Sequence, residues 1–319
     1  MHDTKSGLVL RQQKHAGVTW VDLENPDQDM LVQLEHDYGL HPVHLQESTQ
    51  KVQHTQVEVE QQYLFFVLHY PVFHKATGKL TVRQVGIFLG EDYVVTIRSG
   101  AGTVFTHTFG LCVEDSARAL QLFKPGAAYL LYALLDNLLD DISLMTDGVL
   151  SELDEIEDLV FDNDISDAQR IARIRQKIVK LCRIIGPKRL ILQDLTDQVG
   201  PFAGQNFTKY YSNNAKKVDR LWEVISEAKE TVEIFKDADF TTSTEQTNQI
   251  LAVLTILFTC SIPITIVGSL YGMNVLIPGG IVTGSWTFFG RYTTFGMVVV
   301  VSLLLGLAMY VYFKRKKWF

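Results

Sequence analysis

Four consecutive residues, Tyr271-Gly272-Met273-Asn274, stand between two long uncharged stretches and have the clearest potential for chemistry. Glycine lacks a Cβ and lets backbone carbonyl groups approach a ligand closely. The side-chain oxygen of Asn274 is a neutral, hard donor, which suits the water shell of a small cation. A ring of such groups, supplied by several copies of the chain, would have the chemistry of a selectivity filter.

A set of polar residues, interspersed with apolar ones, recurs every three or four positions along the first uncharged stretch. The recurring set is Asn248, Leu251, Thr255, Phe258, Ile262, Thr265 and Ser269. This spacing places the set on one helical face. A single helix cannot enclose a pore, but identical helices around an axis could, with Leu254 or Ile262 narrowing the path. The alternative is that the hydroxyls only bond carbonyls of the preceding turn.

The two stretches, residues 250–270 and 294–313, are long enough as helices to cross about 30 Å of hydrocarbon. We therefore predict two transmembrane helices rather than buried helices of a soluble protein. Lys314-Arg315-Lys316-Lys317 follows the second, and basic residues collect on the cytoplasmic side. Both termini are expected in the cytoplasm, in a multi-pass protein of the plasma (inner) membrane. The N-terminal residues contain no apolar segment, so no cleaved signal peptide is expected.

Composition and motifs exclude several classes of function. A formal net charge of -7 argues against nucleic acid and suits metal cations as partners. The widely spaced Cys112, Cys182 and Cys260 predict reduced thiols rather than disulfides. We find no phosphate-binding loop, nucleophile elbow or HExxH motif, so no enzyme and no cofactor is expected. The close His36, His41 and His44 favour a structural role over metal binding.

Short stretches rich in Val, Ile, Phe and Tyr predict a sheet with flanking helices in the N-terminal part. The predicted strands are 17–23, 57–59, 63–70, 80–89 and 93–97. Asn25 is the predicted N-cap of a first helix, and a second helix is expected to start at Pro42. These elements form the α/β part of an α+β cytoplasmic domain.

Helical periodicity follows Lys124-Pro125-Gly126. Residues 129–161 and 166–198 predict two long helices, with Ser166 as an N-cap and a kink at Gly186-Pro187. The first helix is strongly acidic, which indicates a solvated face or, alternatively, a loose reservoir for divalent cations. A third helix is expected from about residue 206 into the membrane. Its apolar residues recur at heptad-like intervals and suggest a bundle of identical copies: Val218, Trp222, Ile225, Val232 and Phe235.

Together these residues resemble the CorA family of divalent metal-ion transporters. The resemblance rests on the Tyr-Gly-Met-Asn motif after the first span, the second span about 20 residues later and the basic-aromatic end at 314–319. Further matches are Pro263-Ile264-Thr265, Gln246-Thr247-Asn248 and Gly39-Leu40-His41-Pro42 with the following Leu45-Gln46-Glu47. The resemblance extends over essentially the whole chain.

The resemblance implies a funnel-shaped homopentamer with long helices and a two-helix transmembrane hairpin. Gly272 and Asn274 would form the outer filter, with Tyr271 and Met273 beside them. Pore-lining positions would be Asn248, Leu254, Ile262 and Thr265, and Asp237 would stand near the cytoplasmic mouth. In the family's regulatory metal site Glu47 matches one acid, whereas Gln46 and Asn213 replace carboxylates. The outer loop also lacks an acid and contains Arg291.

The domain organisation expected from these observations follows the chain. It comprises a cytoplasmic α/β domain (1–124), a long helical pair (125–200), a stalk helix (201–249), the pore-lining span (250–270), an outer loop (271–293), the second span (294–313) and a basic tail (314–319).

The function expected is Mg²⁺ influx driven by the membrane potential and gated by cytoplasmic Mg²⁺, which is both substrate and regulator. One alternative keeps the fold and transports Zn²⁺, Co²⁺ or Ni²⁺, with or without proton coupling. The other is a two-span membrane anchor whose cytoplasmic domain binds partners without forming a pore.

Overall fold

The computed structural model describes residues 9–50, 56–74, 79–100, 103–162, 168–203, 207–273, 276, 284, 286–290 and 292–315. The chain divides into two compact units, Met1–Lys236 and Asp237–Phe319. The boundary falls within one long helix, Thr208–Gly272. Each unit is described separately below.

The first unit contains a six-stranded sheet. Its strands are β1 (Val9–His15), β2 (Val18–Glu24), β3 (Glu58–Val59), β4 (Tyr63–His74), β5 (Lys79–Gly90) and β6 (Tyr93–Arg98). Their order across the sheet is β1-β2-β6-β5-β4-β3. Strands β2 and β6 pair in parallel, and the other neighbours pair antiparallel.

Nine helices occur in the described part of the chain. They are α1 (Gln28–Tyr38), α2 (Pro42–Thr49), α3 (Thr103–Glu114), α4 (Ser116–Phe123), α5 (Ala127–Asp162), α6 (Ala168–Gln198), α7 (Gly200–Ala203), α8 (Thr208–Gly272) and α9 (Thr293–Arg315). Helix α8 has 65 residues, of which the last part, with α9, belongs to the second unit.

Apolar residues alternate along the strands and build a core on each face of the sheet. On one face, Leu23, Phe65 and Phe88 pack with residues of α1 and α2. On the other, residues such as Trp20 and Ile87 join a larger core with α3 to α6 and the first part of α8. The sheet is therefore covered on both sides.

The predicted α+β fold class with long helices and two apolar helices is confirmed. Strand β1 and helices α3 and α4 were not predicted. Asp27, not Asn25, caps α1: its side chain accepts from the Met30 amide at 2.9 Å. Asn25 has a positive φ of 50° and instead accepts a hydrogen bond from the Gly100 amide at 2.7 Å.

The long helices differ from the predictions in their boundaries. Helix α6 continues through Pro187, and the predicted cap Ser166 lies outside the described residues. In the predicted stalk, residues 201–203 belong to α7 and α8 begins at Thr208. Tyr271 and Gly272 are still helical, and α9 extends to Arg315.

The heptad-like residues of α8 pack within their own chain, so they do not support the predicted bundle of copies. Val218, Ile225 and Val232 are fully buried in the larger core with α5 and α6. Trp222 is half-buried, and the Arg189 guanidinium lies 5.7 Å from the centre of its ring. An apolar stripe has the same spacing whether it faces a copy or the chain's own helices. These residues therefore give no argument for self-association.

A buried ion pair connects the two parallel strands. Asp22 accepts two hydrogen bonds from the Arg98 guanidinium, from Nε and Nη2, each at 2.9 Å, and both side chains are fully buried. Thr96 donates to the same carboxylate at 2.8 Å. Glu24 and Arg11 extend the network at its edge. The pairing satisfies charges that would otherwise be costly to bury.

We predict that Asp22→Asn destabilises the first unit by about 3 kcal/mol, because the buried Arg98 loses the carboxylate that accepts two of its hydrogen bonds and keeps only Glu24, at the edge of the network, as a counter-charge. Thermal unfolding of the full-length protein in detergent, followed by circular dichroism, measures the change. Glu155→Gln is the matched control: it removes an exposed carboxylate that pairs with Arg170 at 2.5 Å, and should cost less than about 1 kcal/mol. Equal losses in the two variants would contradict the prediction.

Candidate functional site

The second unit contains the two helices that are long and apolar enough to cross a membrane. They are the last part of α8 and the whole of α9. Only 6% of the most apolar part of each is buried within the chain. A core helix of a soluble protein would be mostly buried. This exposure favours the predicted membrane spans.

One face of α8 packs against α9. Its buried or half-buried residues in this region recur every three or four positions: Ala252, Ile256, Thr259, Cys260, Pro263, Val267 and Tyr271. A groove between the two helices is lined by Ile256 and Cys260 of α8 and by Leu303 and Leu307 of α9. At Gly306 of α9 an added Cβ would lie 3.5 Å from the Cys260 carbonyl oxygen. The small residue lets the helices approach closely.

The predicted pore-lining residues lie on the opposite side of α8. At about 100° per residue, Leu254, Ile262 and Thr265 are rotated roughly 160–240° from Ile256. Asn248 lies at the edge of this face, nearer to the α9 side. All four side chains are exposed in the isolated chain. We call the face formed by 237, 240, 241, 244, 247, 248, 251, 254, 255, 258, 262, 265 and 269 the polar stripe.

The hydroxyl groups of the polar stripe use their hydrogens within the helix. Thr255 Oγ1 donates to the Leu251 carbonyl at 2.7 Å, and Thr265 Oγ1 donates to Ser261 at 2.9 Å. The local bonds considered as the alternative are therefore present. They leave the oxygen lone pairs free to accept. Such acceptors can bind the outward-pointing hydrogens of the water molecules that surround a hydrated cation.

The stripe extends along α8 beyond the predicted pore-lining residues, towards Asp237. Thr241, Thr244 and Thr247 lie on the same face, and each donates to a carbonyl four residues earlier at 2.7–2.9 Å. The repeated three- and four-residue spacing of threonine was the signal. Phe240 also lies on this face and is 72% exposed. Asp237, the predicted acid of the pore mouth, begins the stripe and is exposed.

The predicted filter lies at the C-terminal end of α8. Tyr271 is half-buried, Gly272 is the last helical residue, and the Met273 amide donates to the Leu270 carbonyl at 3.2 Å. Asn274 lies outside the described residues. The final carbonyl groups of a helix lack intrahelical partners and form its negative end. This end favours a cation.

Nothing within the described chain requires glycine at position 272. Its φ is not positive, and an added Cβ would meet no atom within 4 Å. Glycine leaves this end of the helix without a side chain, so that a ligand could approach its backbone closely.

The predicted cytoplasmic acids Glu47 and Asp237 belong to the first and the second unit, respectively. Glu47 is half-buried on α2, and its backbone carbonyl accepts from Gln84 at 2.8 Å. Asn213 is exposed on α8. Among the residues that the structure describes, no group of three or more His, Cys, Asp or Glu side chains is arranged to bind a metal.

Basic residues neutralise part of the acidic helix α5. Lys217 forms ion pairs with Asp136, at 2.9 Å, and with Asp140, while Lys177 pairs with Glu152 at 2.5 Å. Partial burial alone would lower the pKa of Lys217, but its hydrogen bonds to Asp140 and Asp136 raise the pKa above its usual value. These acids belong to a paired surface, which weakens the reservoir interpretation.

Two of the three clustered histidines are accounted for by local contacts. His44 is buried, with Nδ1 2.8 Å from the Tyr63 hydroxyl and Nε2 3.1 Å from the Glu58 carboxylate. The His41 side chain accepts from the Val43 amide and caps α2. Both residues hold helix α2 in place.

Comparison with known proteins gives one matching family description. Residues 15–315 match the model of the family described as "CorA-like Mg2+ transporter protein". The cobalt/magnesium transport protein CorA of Thermotoga maritima is 26% identical over 321 residues, covering 99% of this chain and 87% of the relative. The putative metal ion transporter YfjQ of Bacillus subtilis is 25% identical, covering 94% and 89%.

Solved structures show the same fold. The complete CorA magnesium transporter of Methanocaldococcus jannaschii superposes with a TM-score of 0.76 at 20% identity, covering 95% of this chain and 92% of that one. The full-length CmaX protein gives a TM-score of 0.71 at 17% identity, covering 92% and 88%. Both coverages include the two units described above.

We predict that Ile256→Ala destabilises the pairing of α8 with α9 by on the order of 1–3 kcal/mol, because the Ile256 side chain is only 6% exposed. Ile262→Ala removes the same atoms from the opposite face, where the side chain is 52% exposed, and should cost much less. Thermal unfolding in detergent compares the two variants. An equal or larger loss for Ile262→Ala would show that the two faces are assigned the wrong way round.

Proposed function

Because the chain belongs to the CorA family of Mg²⁺ transporters, we propose that it conducts Mg²⁺ across the membrane into the cytoplasm. The observation that carries this proposal is the polar stripe. Most of it lies on the side of α8 away from α9, and it leads to Gly272, the last residue of the helix. Divalent-cation transport is also what the names of the similar transporters state.

The proposed pore is formed by several identical chains, five by the family resemblance. One α8 helix presents a stripe and not a tube, and exposed threonine and asparagine side chains would be unfavourable against lipid. Placing the stripes of several copies around one axis shelters them from hydrocarbon. Helix α9 would then lie outside α8, because the two helices pack on the side away from the stripe.

The proposed filter is a ring of Asn274 side chains and Gly272 carbonyl groups, with Tyr271 and Met273 beside it. Mg²⁺ gives up its water ligands reluctantly, so amide and carbonyl oxygens would bind its hydration shell more readily than the bare ion. The negative ends of the α8 helices would attract the cation. Selection of a small hydrated divalent ion follows from the size and polarity of this ring.

Below the filter, the stripe alternates acceptors with apolar side chains. The hydroxyl oxygens of Thr265 and Thr255 would accept hydrogen bonds from the ion's water shell. Ile262 and Leu254 would form apolar constrictions that close by excluding water. Asn248 and the threonines nearer to Asp237 would continue the polar path towards the cytoplasm.

The membrane potential supplies the driving force in this proposal. A divalent ion gains about 4.6 kcal/mol per 100 mV of inside-negative potential, from twice about 2.3 kcal/mol per charge. Cytoplasmic Mg²⁺ is the proposed regulator: bound between copies near Glu47 or Asp237, it would neutralise repulsion between acids and favour the closed state. The amides at Gln46 and Asn213 predict weaker closure than a fully carboxylate site would give.

Two alternatives have specific support. The relative from Thermotoga maritima is named for cobalt as well as magnesium, and the outer loop contains no acid, so the same pore could carry Co²⁺, Ni²⁺ or Zn²⁺, with or without protons. The second alternative, a two-span anchor without a pore, would fit the exposed apolar helices. It gives no reason for the polar stripe.

Removing the proposed filter amide tests the function. We predict that Asn274→Ala abolishes Mg²⁺ entry into proteoliposomes that contain a Mg²⁺-sensitive dye and hold an inside-negative potential. The oligomer should persist in size-exclusion chromatography, because the change lies at the end of α8. Asn137→Ala, an exposed asparagine of α5, is the matched control and should conduct like the parent.

Parallel uptake of Zn²⁺, Co²⁺ and Ni²⁺ separates the alternatives. Mg²⁺ entry at the parent rate through Asn274→Ala would contradict the filter assignment. Zn²⁺ entry without Mg²⁺ entry in the parent would favour the other substrates, and the absence of any divalent flux would favour the anchor.

A further inference from the structure

A cavity of about 510 Å³ lies in the first unit, between the sheet and helices α5 and α6. Its volume is in the range of sites that bind small molecules. The polar stripe and the filter lie in the other unit, so ion conduction does not explain this cavity.

The walls of the cavity are mainly apolar. Val72 and Leu80 come from the paired strands β4 and β5, Met145 and Val149 from α5, and Leu181 from α6. Leu80, Val149 and Leu181 are buried. A hydrocarbon group of a ligand would lose its contact with water among these side chains.

One carboxylate of the cavity has no partner among the residues that the structure describes. Glu152 and Lys177, which also line it, form an ion pair with each other at 2.5 Å. Asp141 is half-buried and, within the part of the chain that the structure describes, forms no hydrogen bond or ion pair. Burial raises its pKa above the usual value. A cation placed beside Asp141 would offset this cost of burial.

Space for a ligand is left by Gly148. An added Cβ there would meet no described atom within 4 Å. Asp141, Met145, Gly148 and Glu152 follow one another at intervals of three or four residues, so one face of α5 forms this side of the cavity. The carboxylate and the apolar walls are therefore accessible to the same small molecule.

We propose that this cavity binds a small aliphatic ammonium ion, with its ammonium group on the Asp141 carboxylate and its hydrocarbon chain among Leu80, Met145 and Leu181. Charge and apolarity together specify this class. An anion would be repelled by Asp141, and a strongly hydrated metal ion would lose its water against apolar walls. Lys177 forms an ion pair with Glu152, so the Asp141 carboxylate is the group that would recognise the ligand.

Isothermal titration calorimetry of the full-length protein in detergent tests the proposal with 3-methylbutylammonium chloride as the probe. We expect saturable binding to the parent and at least tenfold weaker binding of 3-methyl-1-butanol, which has the same carbon skeleton without the charge. Asp141→Asn should weaken binding of the ammonium ion at least tenfold. Asp147→Asn changes an exposed acid of the same helix that does not line the cavity, and should bind like the parent.

A second variant tests the cavity without touching the charge. Gly148→Leu places a side chain in the open space and should abolish binding while circular dichroism shows an unchanged fold. Equal affinity of Asp141→Asn and the parent, equal affinity of the alcohol and the ammonium ion, or no saturable heat up to about 10 mM probe would each overturn the proposal. These results do not depend on whether the protein conducts Mg²⁺.

Discussion

The cost of placing polar groups in hydrocarbon is the constraint on which the second unit depends. Helix α8 satisfies its backbone internally, and its threonine hydroxyls donate to carbonyls of the preceding turn. What remains is a row of oxygen acceptors and one row of exposed apolar side chains on the same face. Helix α9 covers the opposite face. In the proposed pore, several copies of the chain shelter this face from hydrocarbon.

The two stretches of α8 illustrate how the same periodicity serves different purposes. Val218, Ile225 and Val232 are buried in the chain's own core with α5 and α6. Beyond Lys236 the repeating positions become threonine, asparagine and isolated apolar residues, and they are exposed. The first stretch stabilises the fold of a single chain. The second provides the surface for which we propose assembly and conduction.

Much of this organisation could be predicted from the sequence because its signals are local. The uncharged runs, the polar periodicity and the Gly-Met-Asn motif identified the two apolar helices and one face of α8. The sequence did not reveal which face α9 covers, since apolar residues surround most of α8. The heptad-like stripe could not distinguish burial within the chain from burial against a copy, because both require the same spacing of apolar residues.

Other features depend on contacts distant in sequence. Asp27 caps α1 in place of the predicted Asn25, because the Asn25 side chain accepts a hydrogen bond from the Gly100 amide, 75 residues away. The pairing of Asp22 with Arg98 likewise depends on the parallel register of β2 and β6. Glu47 and Asp237 remain predictions as metal ligands, because no group of three or more metal-binding side chains occurs among the residues that the structure describes. The cavity beside Asp141 arises where two strands meet two helices, which no local pattern encodes.

The most direct test of the polar stripe as the ion path is the water accessibility of the two sides of α8. In a cysteine-free background, Thr255→Cys and Leu257→Cys would be treated with a membrane-impermeant cationic thiol reagent while Mg²⁺ influx into proteoliposomes is recorded. We expect the reagent to modify Thr255→Cys and to block its Mg²⁺ influx. We expect it neither to modify Leu257→Cys nor to block its influx, because Leu257 lines the groove with α9. Reaction and block at Leu257→Cys with no effect at Thr255→Cys would contradict the assignment of the polar stripe to the ion path.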